Sequence, residues 1–191
     1  FFKALLFLAA GSVILALHHE QNIFRMGGLW KRLPVPFWSM VVGSAALAAL
    51  PFTSGFYSKD AILLTSWDYA HGGPWFWFFS AVAAFLTALY STRLIGVVFF
   101  GEPQGESHDN SRANMWAPLV VLAVLAVGGG WFGLAVLNDV LPDGGLSDQP
   151  HTGWLPLVTM GIPMVGVALG YLLFFRKATF LDGLVNSSLG E

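Results

Sequence analysis

A lysine within an apolar stretch is the residue of this sequence best suited to chemistry. Lys59 lies in residues 50–60, which read Leu-Pro-Phe-Thr-Ser-Gly-Phe-Tyr-Ser-Lys-Asp. An amine inside a membrane is costly to insert, and desolvation destabilises its charged form, so it could load and unload a proton. Four hydroxyls precede it and could form a path for protons or water: Thr53, Ser54, Tyr57 and Ser58.

A second interpretation of Lys59 and its neighbour Asp60 requires no chemistry. The pair would mark the outer end of a membrane span, with the lysine reaching up to water and the acid exposed. Against this, residues 61–67 continue largely apolar beyond the pair. Adjacent residues on a helix project about 100° apart, so the two side chains do not form a simple facing ion pair. Each would need its own partner.

Three further side chains could take part in proton transfer. Lys3 precedes an uncharged run, residues 4–17. It lies well inside a bilayer if its helix continues before Phe1, and it is a solvated terminus if the chain begins there. His18 and His19 follow the run, and histidine titrates near neutrality, so the pair could feed protons to a channel. The alternative is that both are interfacial side chains wetted by lipid headgroups.

Other polar or unusual residues have structural interpretations that compete with chemistry. Arg93 either extends to the membrane interface or pairs with an acidic group in a bundle. The aromatic cluster at residues 75–79 is typical of a membrane-interface belt, and the glycine run 128–130 indicates close helix packing. The remaining histidines lie in polar loops without the spacing of metal ligands: His71, His108 and His151.

Composition identifies the environment in which these residues act. Of the 191 residues, 55% are hydrophobic and only 10% are charged, whereas a soluble domain carries about 25% charged residues. The net charge of −2 gives no electrostatic signal for nucleic-acid binding. The absence of cysteine excludes disulfides, thiolate nucleophiles and iron–sulfur ligation within this sequence. The sequence therefore predicts an integral membrane protein.

Five apolar segments approach or exceed the roughly 20 residues that a helix needs to cross a bilayer: residues 1–17, 35–67, 74–100, 115–137 and 153–175. We predict an all-α polytopic helix bundle that forms a single membrane domain. The second segment would be about 50 Å long as one continuous helix, so we expect a discontinuous helix broken at Pro51 and Gly55. Because the sequence begins with Phe and runs directly into a span, we expect a piece of a longer membrane protein rather than a signal peptide.

The distribution of loop cations predicts the orientation of the spans. Arg25, Lys31 and Arg32 follow the first span, Arg112 follows the third, and Arg176 and Lys177 follow the fifth. The alternate loops, residues 68–73 and 138–152, contain no Lys or Arg. Since short cytoplasmic loops accumulate Lys and Arg, the first span should end on the cytoplasmic side.

Several stretches resemble one known family. They are Phe-Phe-Lys-Ala-Leu-Leu-Phe-Leu at 1–8 with Gly-Ser-Val-Ile at 11–14, His-His-Glu-Gln-Asn-Ile-Phe-Arg-Met-Gly-Gly-Leu at 18–29, and Gly-Phe-Tyr-Ser-Lys-Asp-Ala-Ile-Leu at 55–63. Together they resemble the distal antiporter-like membrane subunit (chain L type, mitochondrial subunit 5 counterpart) of the proton-translocating NADH:quinone oxidoreductase, respiratory complex I. That family is also similar to the large subunit of Mrp-type antiporters and to membrane hydrogenase subunits. The resemblance is strong up to Asp60 and weak after Phe100.

The resemblance implies a role for each of three ionisable residues. Lys3 resembles the central lysine that passes protons inward. Lys59 resembles the terminal lysine of the broken helix, from which protons leave to the outside, and Asp60 resembles a neighbouring acid on the exit path. The resemblance further implies that this is the C-terminal part of an antiporter-like repeat, with the N-terminal repeat before Phe1 and a lateral helix after Glu191.

The function implied is proton translocation coupled to quinone reduction elsewhere in a complex, with no redox chemistry, metal or cofactor in this chain. FMN, iron–sulfur clusters and quinone are expected on other subunits. The implied partners are the other membrane subunits of complex I, especially the adjacent antiporter-like one, and the lipid bilayer, in a bacterial inner membrane rather than a mitochondrial one. Two alternatives stay open: a cation/proton antiporter that uses the same lysines to exchange Na⁺ or K⁺, and an inert scaffold in which Lys59 is wet and dispensable.

Overall fold

A computed structural model of the chain describes residues 1–67, 73–102, 113–140 and 153–175. In these residues the regular structure consists of α-helices and one 3₁₀ turn, with no strand. The helices are α1 (Phe2–Ala16), α2 (Pro34–Leu47), α3 (Ser54–Trp67), α4 (Gly73–Phe100), α5 (Ala113–Val140) and α6 (Leu155–Phe174), and the 3₁₀ turn is Ile23–Arg25. The predicted all-α class is confirmed.

Three of the helices are long and apolar enough to cross a bilayer. They are α4 with 28 residues, the 19-residue stretch Met115–Gly133 of α5, and α6 with 20 residues, and their mean hydropathies are 1.7, 1.9 and 2.0. Helices α1 and α2 are apolar but shorter. Large hydrophobic side chains lie exposed on all five of these helices, as expected for surfaces that meet lipid or other apolar helices. The chain is an integral membrane protein of several spans.

The buried core lies where α1 and α2 meet the end of α4 and the first half of α5. Leu5, Ala9 and Val13 form a buried stripe on α1, because residues four apart lie on one face of a helix. Phe99 near the end of α4 is fully buried, and its ring lies edge-on to that of Phe37 in α2 at 5.1 Å between centroids. Edge-on rings at this separation attract each other beyond the area they bury.

Small residues set the closest helix contacts. A Cβ atom added at Gly166 of α6 would lie 2.8 Å from the carbonyl oxygen of Phe85 in α4, and one at Gly170 would lie 2.8 Å from the side chain of Thr92. Within α5, Gly129 meets the ring of Phe1 and Gly130 meets α3. Close packing is therefore confirmed for Gly129 and Gly130, whereas nothing lies within 4 Å of a Cβ atom at Gly128. The two contacts follow the general preference of membrane helices for small residues where they meet.

Helix α2 ends in a motif that provides partners for two of its last carbonyls. The Ala49 N–H donates to the Ala46 carbonyl at 3.1 Å, and the Leu50 N–H donates to the Ala45 carbonyl at 3.0 Å. This pair of bonds is the Schellman motif, which places a left-handed residue just after the helix cap, and Ala49 has φ 60°. Pro51 follows at once, and because it lacks an N–H it cannot continue the helix.

Helix α3 begins after a short connection and completes the discontinuous helix predicted for this segment. Within the connection, the Thr53 N–H donates to the Leu50 carbonyl at 3.2 Å and the Phe56 N–H donates to the Thr53 carbonyl at 3.1 Å. Gly55, in the first turn of α3, lies so close to the last turn of α2 that a Cβ atom on it would overlap the carbonyl oxygen of Ala46. The two halves of the broken helix are therefore held in direct backbone contact.

We expect Gly55→Ala to destabilise the fold by about 1–3 kcal/mol, because the added methyl group meets a backbone carbonyl and α3 must shift away from α2. Gly11→Ala in the middle of α1 is the matched control. Nothing lies within 4 Å of a Cβ atom at that position, and alanine favours a helix over glycine by up to about 1 kcal/mol. Thermal unfolding of the detergent-purified protein, followed by tryptophan fluorescence, measures both. Equal midpoints for the two variants would contradict the packing described here.

Candidate functional site

Lys59 is half-buried where α3, α4 and α6 meet. It lines a narrow cavity of about 10 Å³. A cavity that holds one water molecule has a volume of roughly 10–15 Å³ measured in the same way. The walls are mostly apolar: Ala49, Phe56, Leu63, Ala84 and Met160, with Thr159 and Pro163 of α6 completing the lining. Lys59 therefore lines a small, partly open cavity at a junction of three helices, with room for about one water molecule.

The four hydroxyls before Lys59 do not line this cavity. The Thr53 hydroxyl donates to the Leu50 carbonyl at 2.7 Å, and the Ser58 hydroxyl lies within 3.3 Å of the Gly55 carbonyl. Tyr57 packs edge-on against Trp131 of α5, with 6.1 Å between ring centroids. The hydroxyls thus make local backbone bonds or pack against α5. Their role as a path for protons or water stays a prediction.

Ser54 is the hydroxyl with an unusual environment. Its Oγ is buried and has no hydrogen-bond partner among the described residues. Gly130 of α5 packs against the Cα of Ser54 and against the Tyr57 ring. The first turn of α3 is therefore covered by α5, and the hydroxyl at its start lies within that contact.

Lys3 and Lys59 lie in different surroundings. Lys3 is exposed on α1, which packs against α2 and α5, whereas α3 packs mainly against α4, α5 and α6 and also touches α2. Helix α5 contacts both lysine-bearing helices. The two lysines thus lie on helices with different neighbours, and the route between the two amines stays a prediction.

The two histidines lie at the end of α1, outside the helix. His18 and His19 are exposed, with φ of 53° and 68°. The His19 N–H donates to the Ile14 carbonyl at 2.9 Å. A bond between residues five apart belongs to the Schellman motif, and His18 takes its left-handed position. Histidine is among the non-glycine residues enriched in this conformation. Both residues therefore have a structural role at the helix end, in addition to the proton-feeding role predicted for them.

Several predicted residues lie outside the described part of the structure: His71, His108, His151, Arg112, Arg176 and Lys177, together with the side chain of Asp60. Arg93 is described, and its guanidinium lies over the rings of Phe24 and Phe174 at 5.9 and 6.0 Å. Such contacts stabilise a cation through the negative face of the ring. Arg93 therefore has aromatic partners close to the end of α4.

Sequence reasoning did not identify Thr159 and Pro163 of α6, which form one wall of the Lys59 cavity. Thr159 is 3% exposed, and its hydroxyl donates to the Pro156 carbonyl at 2.9 Å. Their signal in the sequence is a threonine four residues before a proline in an apolar run. That spacing places both on one face of a helix, but it does not reveal which helix they face.

The sequence is similar to a family of known proteins. The family described as "NADH:quinone oxidoreductase/Mrp antiporter, TM" matches residues 1–87. "NADH-quinone oxidoreductase subunit L" of Pseudomonas aeruginosa is 48% identical, and its counterpart of the same name in Escherichia coli is 43% identical. Each match covers 100% of this chain and 31% of the relative. The chain belongs to this family.

A relative with a different name is also similar. "NADH-ubiquinone oxidoreductase chain 5" of Rhizopus stolonifer is 38% identical, over 88% of this chain and 28% of the relative. The chain thus spans about a third of the length of the curated relatives that it matches. The matched family region contains Lys3, the two histidines that follow α1, Lys59 and Asp60, and the alignments with the bacterial relatives extend the similarity through α5 and α6.

The loop after α1 is organised by the carboxylate of Glu20. It accepts hydrogen bonds from the N–H groups of Asn22 at 2.9 Å and Gln21 at 3.0 Å, and Arg25 lies 3.5 Å away. The Asn22 amide, with smaller contributions from Arg25 and the Gln21 amide, holds the pKa of Glu20 below its ordinary value. A carboxyl whose pKa is lowered by folding stabilises the folded loop above its ordinary pKa of about 4.3 and loses that contribution as the pH falls.

We therefore expect residues 21–25 to lose hydrogen-exchange protection when the pH falls through the lowered pKa of Glu20. Glu20→Gln removes the negative charge, so it should reduce this protection already at neutral pH and abolish its pH dependence. Protection factors corrected for intrinsic exchange, measured at pH 7 and pH 3, test this. Lys31→Gln changes an exposed charge outside the Glu20 contacts and serves as the control. Unchanged protection in Glu20→Gln would show that the carboxylate does not organise the loop.

Proposed function

We propose that this chain forms part of a proton-translocating membrane subunit of an NADH:quinone oxidoreductase. The two bacterial relatives quoted above are named NADH-quinone oxidoreductase subunit L, and their similarity covers the whole of this chain. The observation that carries the mechanism is the position of Lys59, half-buried at the junction of three membrane helices and next to a break in one of them. A broken helix at membrane depth is a common location for ion-handling groups in transporters.

Lys59 acts in this proposal as a relay that alternates between its charged and neutral forms. Moving one charge against 100 mV costs about 2.3 kcal/mol, and one unit of pKa corresponds to about 1.4 kcal/mol. A change of one to two units in proton affinity therefore drives one transfer step. A mostly apolar cavity makes such a change attainable, because small shifts of a polar neighbour strongly affect a desolvated amine.

The other candidate residues have subsidiary roles in the proposal. Lys3 passes protons along the membrane axis, Asp60 assists their exit beside Lys59, and His18 and His19 supply protons on the cytoplasmic side. The partners are the other membrane subunits of the complex, with the adjacent antiporter-like subunit first among them, and the lipid bilayer. FMN, iron–sulfur clusters and quinone belong to other subunits. The two bacterial relatives support a bacterial inner membrane as the location.

A second candidate function follows from the family description, which includes Mrp antiporters. In that case the same lysines exchange Na⁺ or K⁺ for protons, without coupling to NADH oxidation. The names of the relatives favour the first function. Sodium dependence in the absence of NADH separates the two.

We expect Lys59→Ala to lower NADH oxidation and proton uptake together by about tenfold or more, since each 1.4 kcal/mol added to a barrier slows a step about tenfold. The variant is made in the full-length subunit within its assembled complex, and both rates are recorded in inside-out membrane vesicles. Lys31→Ala is the control, because it also removes a lysine charge but from an exposed side chain over the Trp30 ring, at 4.9 Å.

Normal oxidation and pumping in an assembled Lys59→Ala complex would overturn the relay role and leave Lys59 as a passive side chain. Exchange of Na⁺ or K⁺ for protons without NADH oxidation, in the unmodified protein, would support the antiporter function instead. A similar loss in Lys31→Ala would show that total charge, rather than the position of Lys59, controls the rates.

A further inference from the structure

We propose that Arg93 of α4 binds the phosphate group of an anionic phospholipid whose acyl chain lies along the exposed face of the same helix. The lipid site consists of Arg93, the rings of Phe24 and Phe174 over which its guanidinium lies, and an exposed apolar stripe of α4 that leads up to it. The proposal names a lipid partner and does not depend on proton transfer at Lys59.

Arg93 is exposed on a helix that is long and apolar enough to cross a bilayer. It lies seven residues before Phe100, the last residue of α4, and at 1.5 Å per residue this is about 10 Å from the helix end. A cation at this depth is costly in hydrocarbon unless an anion, protein oxygens or the headgroup layer stabilise it. Because the side chain is exposed, a partner on the outside of the helix has to provide that stabilisation.

Two aromatic rings hold the guanidinium of Arg93 in place. Phe24 belongs to the 3₁₀ turn, where its N–H donates to the Asn22 side-chain oxygen at 3.0 Å. Phe174 is the last residue of α6, and a Cβ atom added at Gly96 of α4 would lie 3.5 Å from its Cβ atom. Each ring is thus fixed by its own element. A guanidinium that is ordered by two rings before an anion arrives loses less entropy on binding.

The rings do not satisfy the hydrogen-bond donors of Arg93. A guanidinium has five N–H donors in a planar fork, and within the described residues it forms no hydrogen bond or ion pair with an oxygen. Glu20 in the neighbouring loop lies 3.5 Å from Arg25. Arg93 is the one charged residue of α4, and the described part of α6 has none. A phosphate group carries paired oxygens that match the fork, so it supplies the missing acceptors.

The exposed apolar stripe of α4 indicates that the phosphate belongs to a lipid. Val82, Leu86 and Tyr90 are exposed, and their spacing up to Arg93 is four, four and three residues, which places them on one face of the helix. The stripe is about 16 Å long, close to half of the roughly 30 Å hydrocarbon core. An acyl chain attached to a phosphate at Arg93 can therefore lie along it toward the bilayer centre, whereas a free phosphate ion has no group that fits this surface.

The surrounding charge favours an anionic headgroup over a zwitterionic one. The loop after α1, the end of α4 and the sequence around the end of α6 contain six Lys or Arg and two Glu, in residues 18–33, 93–102 and 174–177. Clusters of cations beside a membrane span attract anionic lipids, and basic pockets between spans bind their headgroups. Trp30 and Tyr171 are exposed at the same end, and these residue types are enriched at the headgroup level.

The test uses the full-length subunit in its assembled complex, reconstituted into phosphatidylcholine vesicles. The vesicles contain a trace of phosphatidylglycerol or of phosphatidylcholine that carries a photoreactive group on one acyl chain, and mass spectrometry maps the labelled peptides. We expect the phosphatidylglycerol analogue to label the peptide with Leu86 and Tyr90 about fivefold more than the phosphatidylcholine analogue, because each nearby cation adds attraction for an anionic lipid.

Variants then assign this preference to one side chain. We expect Arg93→Gln to lower labelling by the phosphatidylglycerol analogue about tenfold, the size expected for losing hydrogen bonds to a charged group. Arg93→Lys keeps the charge without the fork and should give intermediate labelling. Lys31→Gln is the matched control, because it removes a cation of the same side that lies over the Trp30 ring at 4.9 Å, and it should change the labelling by less than about twofold.

Four results would overturn the proposal. They are equal labelling by the two analogues, unchanged labelling in Arg93→Gln, an equal loss in Lys31→Gln, and displacement of the lipid by inorganic phosphate at constant ionic strength. Absence of any label at this peptide would show that protein covers the stripe and would overturn it as well. If Arg93→Gln does not assemble, the comparison of the two analogues on the unmodified complex and on Arg93→Lys still decides the question.

Discussion

The requirement that every backbone N–H and carbonyl be satisfied inside an apolar environment governs this structure. A break in a membrane helix exposes such groups, and the chain satisfies them within a few residues. The bonds from Ala49 and Leu50 close the end of α2, and Thr53 bonds back to Leu50 by both its N–H and its hydroxyl. These bonds accompany the change of direction between α2 and α3 that brings Lys59 into the bundle.

The packing around the break follows from that local solution. Gly55 lets α3 touch the last turn of α2, and Gly130 lets α5 cover the start of α3. On the other side, Gly166 and Gly170 bring α6 against α4. This second contact carries residues of α6 into the wall of the Lys59 cavity. The position of α3 and its lysine thus depends on backbone contacts that glycine allows.

Local chemistry explains which parts of this arrangement could be predicted from the sequence. The break was predictable, because Pro51 and Gly55 interrupt a segment too long for one helix. The details of its cap were not, since a Schellman motif usually has glycine at the left-handed position and here that residue is Ala49. The sequence also placed four hydroxyls near Lys59, whereas the cavity lining contains none of them. Thr159 was missed because its contact with α3 arises from helix packing between distant segments, which no local periodicity encodes.

The contact between the two halves of the broken helix has an electrical consequence. A continuous helix carries about half an elementary charge of opposite sign at each end, so breaking one inside a bilayer creates two additional poles at depth. Here the negative pole at the end of α2 and the positive pole at the start of α3 are adjacent, because Gly55 lies against the Ala46 carbonyl. Poles of opposite sign in contact largely offset each other. The backbone dipoles at this break therefore add little field of their own next to Lys59.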